Sequence, residues 1–488
     1  MDEAPKIQHS SAAAAAGAPE AARYEQDLNR SIGILGNVFI TLSGVTPASS
    51  VFIIVPVALV AAGSGSFLAF VFAAVVGVFM AFCWAELSAA FPIAAGDYAL
   101  VWHSFKGRSS WLAGPVSFVT FALYVDFIAF IPAVIALGTG TYLAVIVNVN
   151  IKVIGAIVML VAAGIAILNI RLNAVITGIF LAIELAALAV VTVLGIAHAK
   201  HWSSLIHPAV GAAHGGGLSS VSFTAVLALT AVAVFSYNGY ANAVNFSEET
   251  RGSSRRIASA ILWALVITVA AELIPMTATI IGSPSIAKLS TSAVPMKYFI
   301  EATSNNTVYK IVSLGVVVAI LNAVIAIVLS YGRIFFSSGR DRAWPGPVNG
   351  WMITRSERFR SPWIATALVG VLGAIMCLTV SLNTLVNLTG ASLVADYALI
   401  AIAALFARPT GATRNSPYKM PLWPLPPILA LASLGYIFTQ QTSLLLRVTL
   451  ITIAIGLVYW VVVIFPQRGR AWNLREAVFD DAASSKEG

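Results

Sequence analysis

The chain has 488 residues, of which 59% are hydrophobic and only 10% are charged. Its mean hydropathy is +0.89. A soluble globular protein carries roughly 25% charged and 45–50% apolar residues, so this composition excludes a soluble domain and a disordered chain. Cys83 and Cys377 are the two cysteines; both lie in apolar runs and imply no disulfide framework. The net charge of +8 alone would fit a nucleic-acid-binding protein, but the hydrophobicity predicts repeated membrane crossing.

The apolar runs predict an all-α membrane protein with twelve transmembrane helices. A spanning helix needs ~20 mostly apolar residues, whereas a membrane β-barrel shows alternation over ~10 residues. The membrane domain is predicted over residues 31–465, between flexible tails at residues 1–30 and 466–488. The predicted spans, cut at Gly, Pro, Asn and charged clusters, cover residues 33–60, 66–91, 111–145, 152–170, 173–197, 222–247, 257–281, 308–337, 362–381, 384–407, 424–441 and 446–465.

The distribution of basic residues predicts the orientation. Cytoplasmic loops carry an excess of Lys and Arg. With twelve spans and both termini in the cytoplasm, 22 of the 28 lysines and arginines fall on the inner side. The first 30 residues lack the basic start and short apolar core of a signal peptide, so we expect them to form a cytoplasmic tail.

Two predicted spans contain helix-breaking stretches. Span one holds residues 43–50, SGVTPASS, and span six holds residues 235–240, FSYNGY. Each stretch alone is also consistent with a simple kink or a helix contact. Breaks five helices apart are typical of inverted repeats with a substrate site between them, because half-helix amides attract anions and unwound carbonyls attract cations. We therefore predict repeats at about 31–198 and 222–407, with two peripheral helices at about 424–465.

Four stretches in chain order resemble the amino acid–polyamine–organocation transporter family over about residues 30–465. They are residues 85–98 (AELSAAFPIAAGDY), residues 235–240 followed by 248–251 (EETR), residues 339–345 (GRDRAWP), and residues 417–424 (PYKMPLWP). The resemblance implies a LeuT-like fold. It also implies a permease, a secondary active transporter that moves amino acids by alternating access, coupled to protons or working by exchange.

The resemblance also implies a substrate site at the two breaks. The substrate carboxylate would meet amides near Ala48, Ser49 and Ser50, which stand where many members have Gly-Ser-Gly. The ammonium would meet carbonyls near the ends of the two half-helices. Phe235 corresponds to an aromatic that closes over the ligand, although ordinary packing explains it equally well. The predicted substrate-binding residues are Val45, Thr46, Ala48, Ser49, Ser50, Phe235, Ser236, Tyr237 and Gly239.

Four acidic residues lie near the middle of predicted spans, where no Lys or Arg has a comparable depth: Asp126, Glu184, Glu272 and Asp396. A charged group at that depth is costly and is a functional hypothesis by default. Asp126, Glu184 and Glu272 are candidates for ion coupling, with counter-ions for a cationic substrate or hydrogen-bonded protonated acids as alternatives. Asp396 is expected to be a hydrogen-bonded structural acid. Glu184 stands where several proton-coupled family members have Lys.

Charged residues near the cytoplasmic ends form a candidate inner gate. The candidates are Glu86, Glu248, Glu249 and Arg333, whose ion pairs would exist in only one transport state. A solvated charge cluster is the alternative interpretation.

Two other functions remain open. The unpaired acids would also suit a transporter of polyamines, cationic amino acids or other organic amines, and a third hypothesis is a sensor that binds amino acids without moving them. No nucleophile–base pair suggests an enzyme, and no histidine spacing suggests a metal. We expect a small-molecule substrate, the lipid bilayer and no nucleic acid as partners, and no cofactor apart from a coupling proton, with Na⁺ not excluded. The expected location is the plasma membrane, or the inner membrane of a bacterial host.

Overall fold

The computed structural model describes residues 34–92, 96–105, 110–144, 147–168, 173–212, 217–249, 255–356, 358–359, 361–472 and 474. Within these ranges the protein is almost entirely helical. Its one small sheet pairs β1 (Ala209–Gly211) with β2 (Leu218–Ser220), antiparallel. The helices are α1 (Ile34–Val45), α2 (Pro47–Ser49), α3 (Val55–Ala62), α4 (Ser66–Ala90), α5 (Asp97–Ser104), α6 (Ser110–Leu143), α7 (Ile151–Leu168), α8 (Asn173–Ala197), α9 (Phe223–Tyr237), α10 (Arg255–Gly282), α11 (Ile286–Thr291), α12 (Pro295–Thr303), α13 (Asn306–Arg340), α14 (Gly346–Met352), α15 (Trp363–Thr379), α16 (Leu382–Ala407), α17 (Leu425–Thr439) and α18 (Ser443–Tyr459).

The described residues contain nine helical stretches that are long and apolar enough to cross a membrane, together with two shorter apolar helices, α15 and α17. The first stretch, Gly36–Ala90, has 55 residues. At ~1.5 Å per residue this is more than twice the ~30 Å hydrocarbon thickness. It turns at Gly63, whose φ is 52°, so α4 runs separately from the helices before it. The chain is therefore a multi-pass membrane protein.

Span one and span six are both interrupted, as predicted. Span one consists of α1, α2, a π-helical turn at Ser50–Ile54 and α3. Span six consists of α9 and a 3₁₀ segment, Tyr240–Glu249. Three further helices were not predicted from the sequence: α5 between spans two and three, and α11 and α12 between spans seven and eight. They are short, so they lack the apolar length by which the spans were identified.

Polar side chains begin several of the long helices. Ser222 Oγ accepts a hydrogen bond from the Ala225 amide at the start of α9, and Asn305 Oδ1 accepts one from the Val308 amide at the start of α13. Such caps satisfy amides that have no carbonyl one turn earlier. They place the helix starts at the ends of apolar runs, where the sequence alone locates a boundary only approximately.

Small residues bring the helices around the breaks into backbone contact. A Cβ on Gly390 of α16 would lie 2.7 Å from the Ala231 carbonyl oxygen of α9. A Cβ on Gly195 of α8 would lie 2.2 Å from the Ala278 carbonyl oxygen of α10. Close approach through small residues is the usual means by which helices pack in membranes, where no hydrophobic driving force acts between them. These two contacts position the helices that carry the site described next.

Candidate functional site

The break in span one is a single left-handed residue. Thr46 has φ 53° and ψ 69°, a conformation that β-branched residues rarely adopt. Pro47, which has no amide hydrogen, then begins the next helical stretch. Because the helix restarts here, the amides of its first turn, including those of Ala48 and Ser49, have no carbonyl one turn earlier. The break therefore presents backbone donors inside the protein, as predicted.

The break in span six lies directly against the break in span one. α9 ends at Tyr237, Asn238 is extended, and Gly239 has φ 112°. A Cβ added to Gly239 would lie 3.1 Å from Val45 Cγ2 and 3.4 Å from Val45 Cα. Only glycine combines this backbone conformation with so close an approach. The two breaks, which are almost 200 residues apart in the chain, thus meet at Val45 and Gly239.

A chain of hydrogen bonds joins the two breaks to α10. Ser50 Oγ donates to the Ser236 carbonyl oxygen at 2.9 Å, and Ser236 Oγ donates to Glu272 Oε2 at 2.5 Å. The partner expected for Glu272 from the sequence was a carbonyl freed by nearby Pro275. The structure instead supplies the Ser236 hydroxyl, so Glu272 belongs to the site at the breaks.

Glu184 also faces the breaks. Its carboxyl group, on α8, accepts a hydrogen bond from the Ala48 amide, and the residue is 1% exposed. Among the ion pairs of the described residues, none involves Glu184 or Glu272. A buried carboxyl group thus lies at the amides that the sequence analysis reserved for a substrate carboxylate.

Several buried polar atoms around the breaks have no hydrogen-bond partner in the described part of the chain. Buried polar groups are nearly always paired, and an unpaired one costs roughly 1–3 kcal/mol. A concentration of such atoms at two touching helix breaks indicates a place for a polar ligand. The atoms are Thr46 Oγ1, Ser49 Oγ, Tyr237 Oη, Glu184 Oε2 and Glu272 Oε1.

The aromatic residues before the span-six break are buried. Tyr237 packs edge-on against Phe70, with ring centroids 5.5 Å apart and an interplanar angle of 81°. Phe235 is 3% exposed and belongs to the same apolar core. Both of the interpretations of Phe235, closure over a ligand and ordinary packing, are consistent with this position.

Asp126 faces away from the breaks. On α6, its Oδ2 accepts hydrogen bonds from Thr452 Oγ1 of α18 at 2.9 Å and from Ser392 Oγ of α16 at 3.4 Å. The structure therefore groups Glu184 and Glu272 with the substrate-binding candidates, and it places Asp126 in a contact with the last helix.

Glu86 pairs with a cation outside the predicted inner gate. Its two carboxylate oxygens accept from Arg408 Nε at 2.8 Å and from Arg408 Nη2 at 2.7 Å. Thr413 Oγ1 and the Met420 amide donate to the same carboxylate. Arg333 lies on α13, and no described hydrogen bond or ion pair joins it to Glu86. The side chains of Glu248 and Glu249 lie outside the described part of the chain.

Sequence reasoning missed two features near the site. Arg408 was noted only as a motif residue, although its spacing from Glu86 offers no local signal. Asp97 was assigned to a loop, whereas it begins α5 and lines a cavity with Asp396 beside the span-six break. The only available signal was an acid in an otherwise apolar stretch following Gly96.

Comparison with known proteins identifies the class of protein that this fold and site belong to. The family model described as "Amino acid permease" matches residues 32–471, nearly the whole membrane domain. The chain therefore belongs to the amino acid permease family, and it is a membrane transporter.

Three relatives illustrate the range within which this chain falls. It is 21% identical to the methylthioribose transporter of Bacillus subtilis, over 77% of this chain and 80% of the relative. It is 27% identical to an uncharacterized transporter of Mycobacterium tuberculosis, over 78% and 80%. It is 19% identical to the branched-chain amino acid permease BcaP of Bacillus subtilis, over 89% and 93%.

Proposed function

We propose that the protein moves amino acids across the plasma membrane by alternating access, with the substrate bound between the breaks of spans one and six. The observation that carries this proposal is the contact of Val45 with Gly239, surrounded by buried polar atoms without partners. A helix that is unwound at membrane depth is tolerated where it lines a binding cavity. An amino acid supplies both an anion and a cation for such a site.

Each end of an amino acid has a complementary group at the breaks. The amides of Ala48 and Ser49 and the Ser49 hydroxyl would receive the carboxylate, because a helix start carries partial positive charge. The carbonyls that end the half-helices and Glu272 Oε1 would receive the ammonium. Both sets lie within the region joined by the bonds from Ser50 to Ser236 and from Ser236 to Glu272.

The proposed topology has twelve spans with both termini in the cytoplasm. The nine apolar stretches support it if the 55-residue stretch that turns at Gly63 is counted as two spans and the shorter α15 and α17 are added. The excess of basic residues on one side of this arrangement supports the orientation. The first ten spans would form two inverted repeats, with α17 and α18 peripheral.

Glu184 is the proposed coupling acid. A substrate carboxylate at the Ala48 amide would lie beside the Glu184 carboxyl group, which now uses that amide. Two neighbouring carboxylates in a buried site repel strongly. A proton on Glu184 removes that repulsion, so substrate and proton would bind together and cross together, without any cofactor.

A second candidate function is transport of an organic cation such as a diamine. The unpartnered oxygens Glu184 Oε2 and Glu272 Oε1 favour it, because two carboxylates at one site would attract two ammonium groups. The two candidates differ in the ligand that stabilises the folded protein.

A thermal-shift panel on the detergent-solubilised protein tests the substrate class. A ligand that binds only the folded state stabilises it by about 2.7 kcal/mol at a hundred times its Kd. We expect zwitterionic amino acids to raise the melting temperature and putrescine and spermidine to leave it unchanged. Stabilisation by the diamines alone would favour the second candidate. If neither class stabilises the protein and neither is taken up by proteoliposomes, the proposed substrate site is wrong.

Replacing Glu184 by Gln tests the coupling. Wild-type uptake into proteoliposomes should slow by roughly tenfold for each pH unit above the value at which Glu184 loses its proton, since uptake then depends on the protonated fraction. Glu184→Gln is permanently neutral, so its uptake should show little dependence on pH. The change Asp126→Asn should leave the dependence intact. If Asp126→Asn removes it and Glu184→Gln does not, the coupling acid is Asp126.

A further inference from the structure

A second polar cavity lies beside the span-six break, away from Glu184 and Glu272. It is formed where α4, α5, α6, α13 and α16 meet the break. Its polar lining comes from Trp84, Asp97, Tyr124, Asn238, Tyr331 and Asp396. None of these residues belongs to the substrate site proposed above.

Two buried carboxyl groups meet in this cavity. Asp97 is 6% exposed and Asp396 is 1% exposed, and their side chains hydrogen-bond to each other. Trp84 Nε1 donates to Asp97 Oδ1 at 2.9 Å. Asp396 Oδ1 has no hydrogen-bond donor in the described part of the chain. A carboxylate is an acceptor only, so two ionised carboxylates have nothing to donate to each other.

The groups that face this pair carry no positive charge. They come from every described element packed around the cavity: Tyr124 of α6, Tyr331 of α13, Tyr397 of α16 and Tyr240 of the 3₁₀ segment. Cys83 of α4 lies beyond Tyr240. Phenols ordinarily titrate near pH 10 and thiols near 8.5, so the two carboxyl groups are the ones that change charge near neutral pH. Burial also raises the pKa of Asp97, on α5 outside the membrane-spanning helices.

We propose that Asp97 and Asp396 form a proton-binding site, in which the two carboxyl groups share one proton and so tie α5 to α16 beside the span-six break. Carboxyl pairs that share a proton are a known consequence of placing two acids in one buried site. Loss of the proton would break the bond between the helices and leave two negative charges in the cavity. Asn238 lines this cavity and receives a hydrogen bond from Tyr397 at 3.0 Å, so the charges would act next to the break itself.

The alternative occupant is a cation, either Na⁺ or an ammonium group, between the two carboxylates. The near-complete burial of both acids favours a proton, because a larger cation would lose most of its hydration without further ligands. The two occupants respond differently to pH and to added ions, and neither response requires the protein to transport anything. Failure of this proposal is therefore distinguishable from failure of the proposed function.

The test is the melting temperature of the purified full-length protein between about pH 5 and about pH 8, in sodium chloride and in choline chloride. A group whose pKa is raised by folding contributes stability at low pH that is lost as the pH rises through the folded-state value. The wild-type melting temperature should therefore fall with rising pH, by roughly 3 °C from this site. Asp97→Asn and Asp396→Asn should each flatten that fall, since an amide donates to the remaining carboxylate without a proton.

Glu301→Gln is the control variant, because this partly exposed acid pairs only with Lys297 at 4.0 Å. It should keep the wild-type pH dependence. Either aspartate variant suffices if the other does not fold. A wild-type melting temperature that does not fall with rising pH overturns the proposal without any variant. So does an unchanged pH dependence in the aspartate variants. Stabilisation of the wild type near pH 8 by Na⁺ or putrescine, lost in Asp396→Asn, would make the pair a cation site instead.

Discussion

Replacing Gly239 by Ala is expected to reduce uptake by proteoliposomes at least about tenfold. The residue has φ 112°, where an L side chain costs about 1–3 kcal/mol. The new Cβ would also lie 3.1 Å from Val45 Cγ2, so the two breaks must separate or distort. Both effects act at the contact on which the proposed substrate site depends. The measurement is initial uptake of the amino acid identified by thermal shift, normalised to reconstituted protein.

Gly435→Ala is the matched control for this prediction. Gly435 lies within α17, and a Cβ there would meet nothing within 4 Å. Alanine is favoured over glycine in a helix by up to about 1 kcal/mol, so this variant should fold and transport like the wild type. Wild-type uptake by Gly239→Ala would show that transport does not need the close contact of the two breaks.

The second large effect is expected from Glu86→Gln, and it concerns stability. The carboxylate receives four hydrogen bonds, two from Arg408, one from Thr413 and one from the Met420 amide. The amide nitrogen of a glutamine would point a donor at other donors. Disrupting a buried ion pair in this way costs about 3–5 kcal/mol. The melting temperature in detergent should fall by roughly 3–6 °C.

This prediction distinguishes a fixed clamp from an inner gate. Glu86 ties the end of α4 to the segment between α16 and α17, so we expect the surviving protein to transport at a near-normal rate. A gate residue would instead change the transport rate and leave the melting temperature nearly unchanged. Glu301→Gln removes a comparable but partly exposed pair with Lys297, and it should alter the free energy of unfolding by less than about 1 kcal/mol.

The membrane class, the extent of the helical domain and the positions of both breaks followed from the sequence by itself. These features depend on local properties: apolar length determines which segments cross the bilayer, and Thr46-Pro47 and Asn238-Gly239 interrupt a helix wherever it lies. The family also followed from short motifs in order along the chain. The substrate-binding candidates on spans one and six come together in the structure for the same reason, because they flank the breaks.

The partners of the buried acids were decided only by the tertiary structure. Glu86 and Arg408 are 322 positions apart in sequence, and Asp126 and Ser392 are 266 apart. Depth in a span shows that an acid is buried, but the rotation of its helix determines what it faces. Glu184 faces the Ala48 amide, Asp126 faces the last helix, and Asp396 meets Asp97 of α5. Helix rotation is fixed by packing at small residues such as Gly195 and Gly390, whose contacts no local pattern encodes.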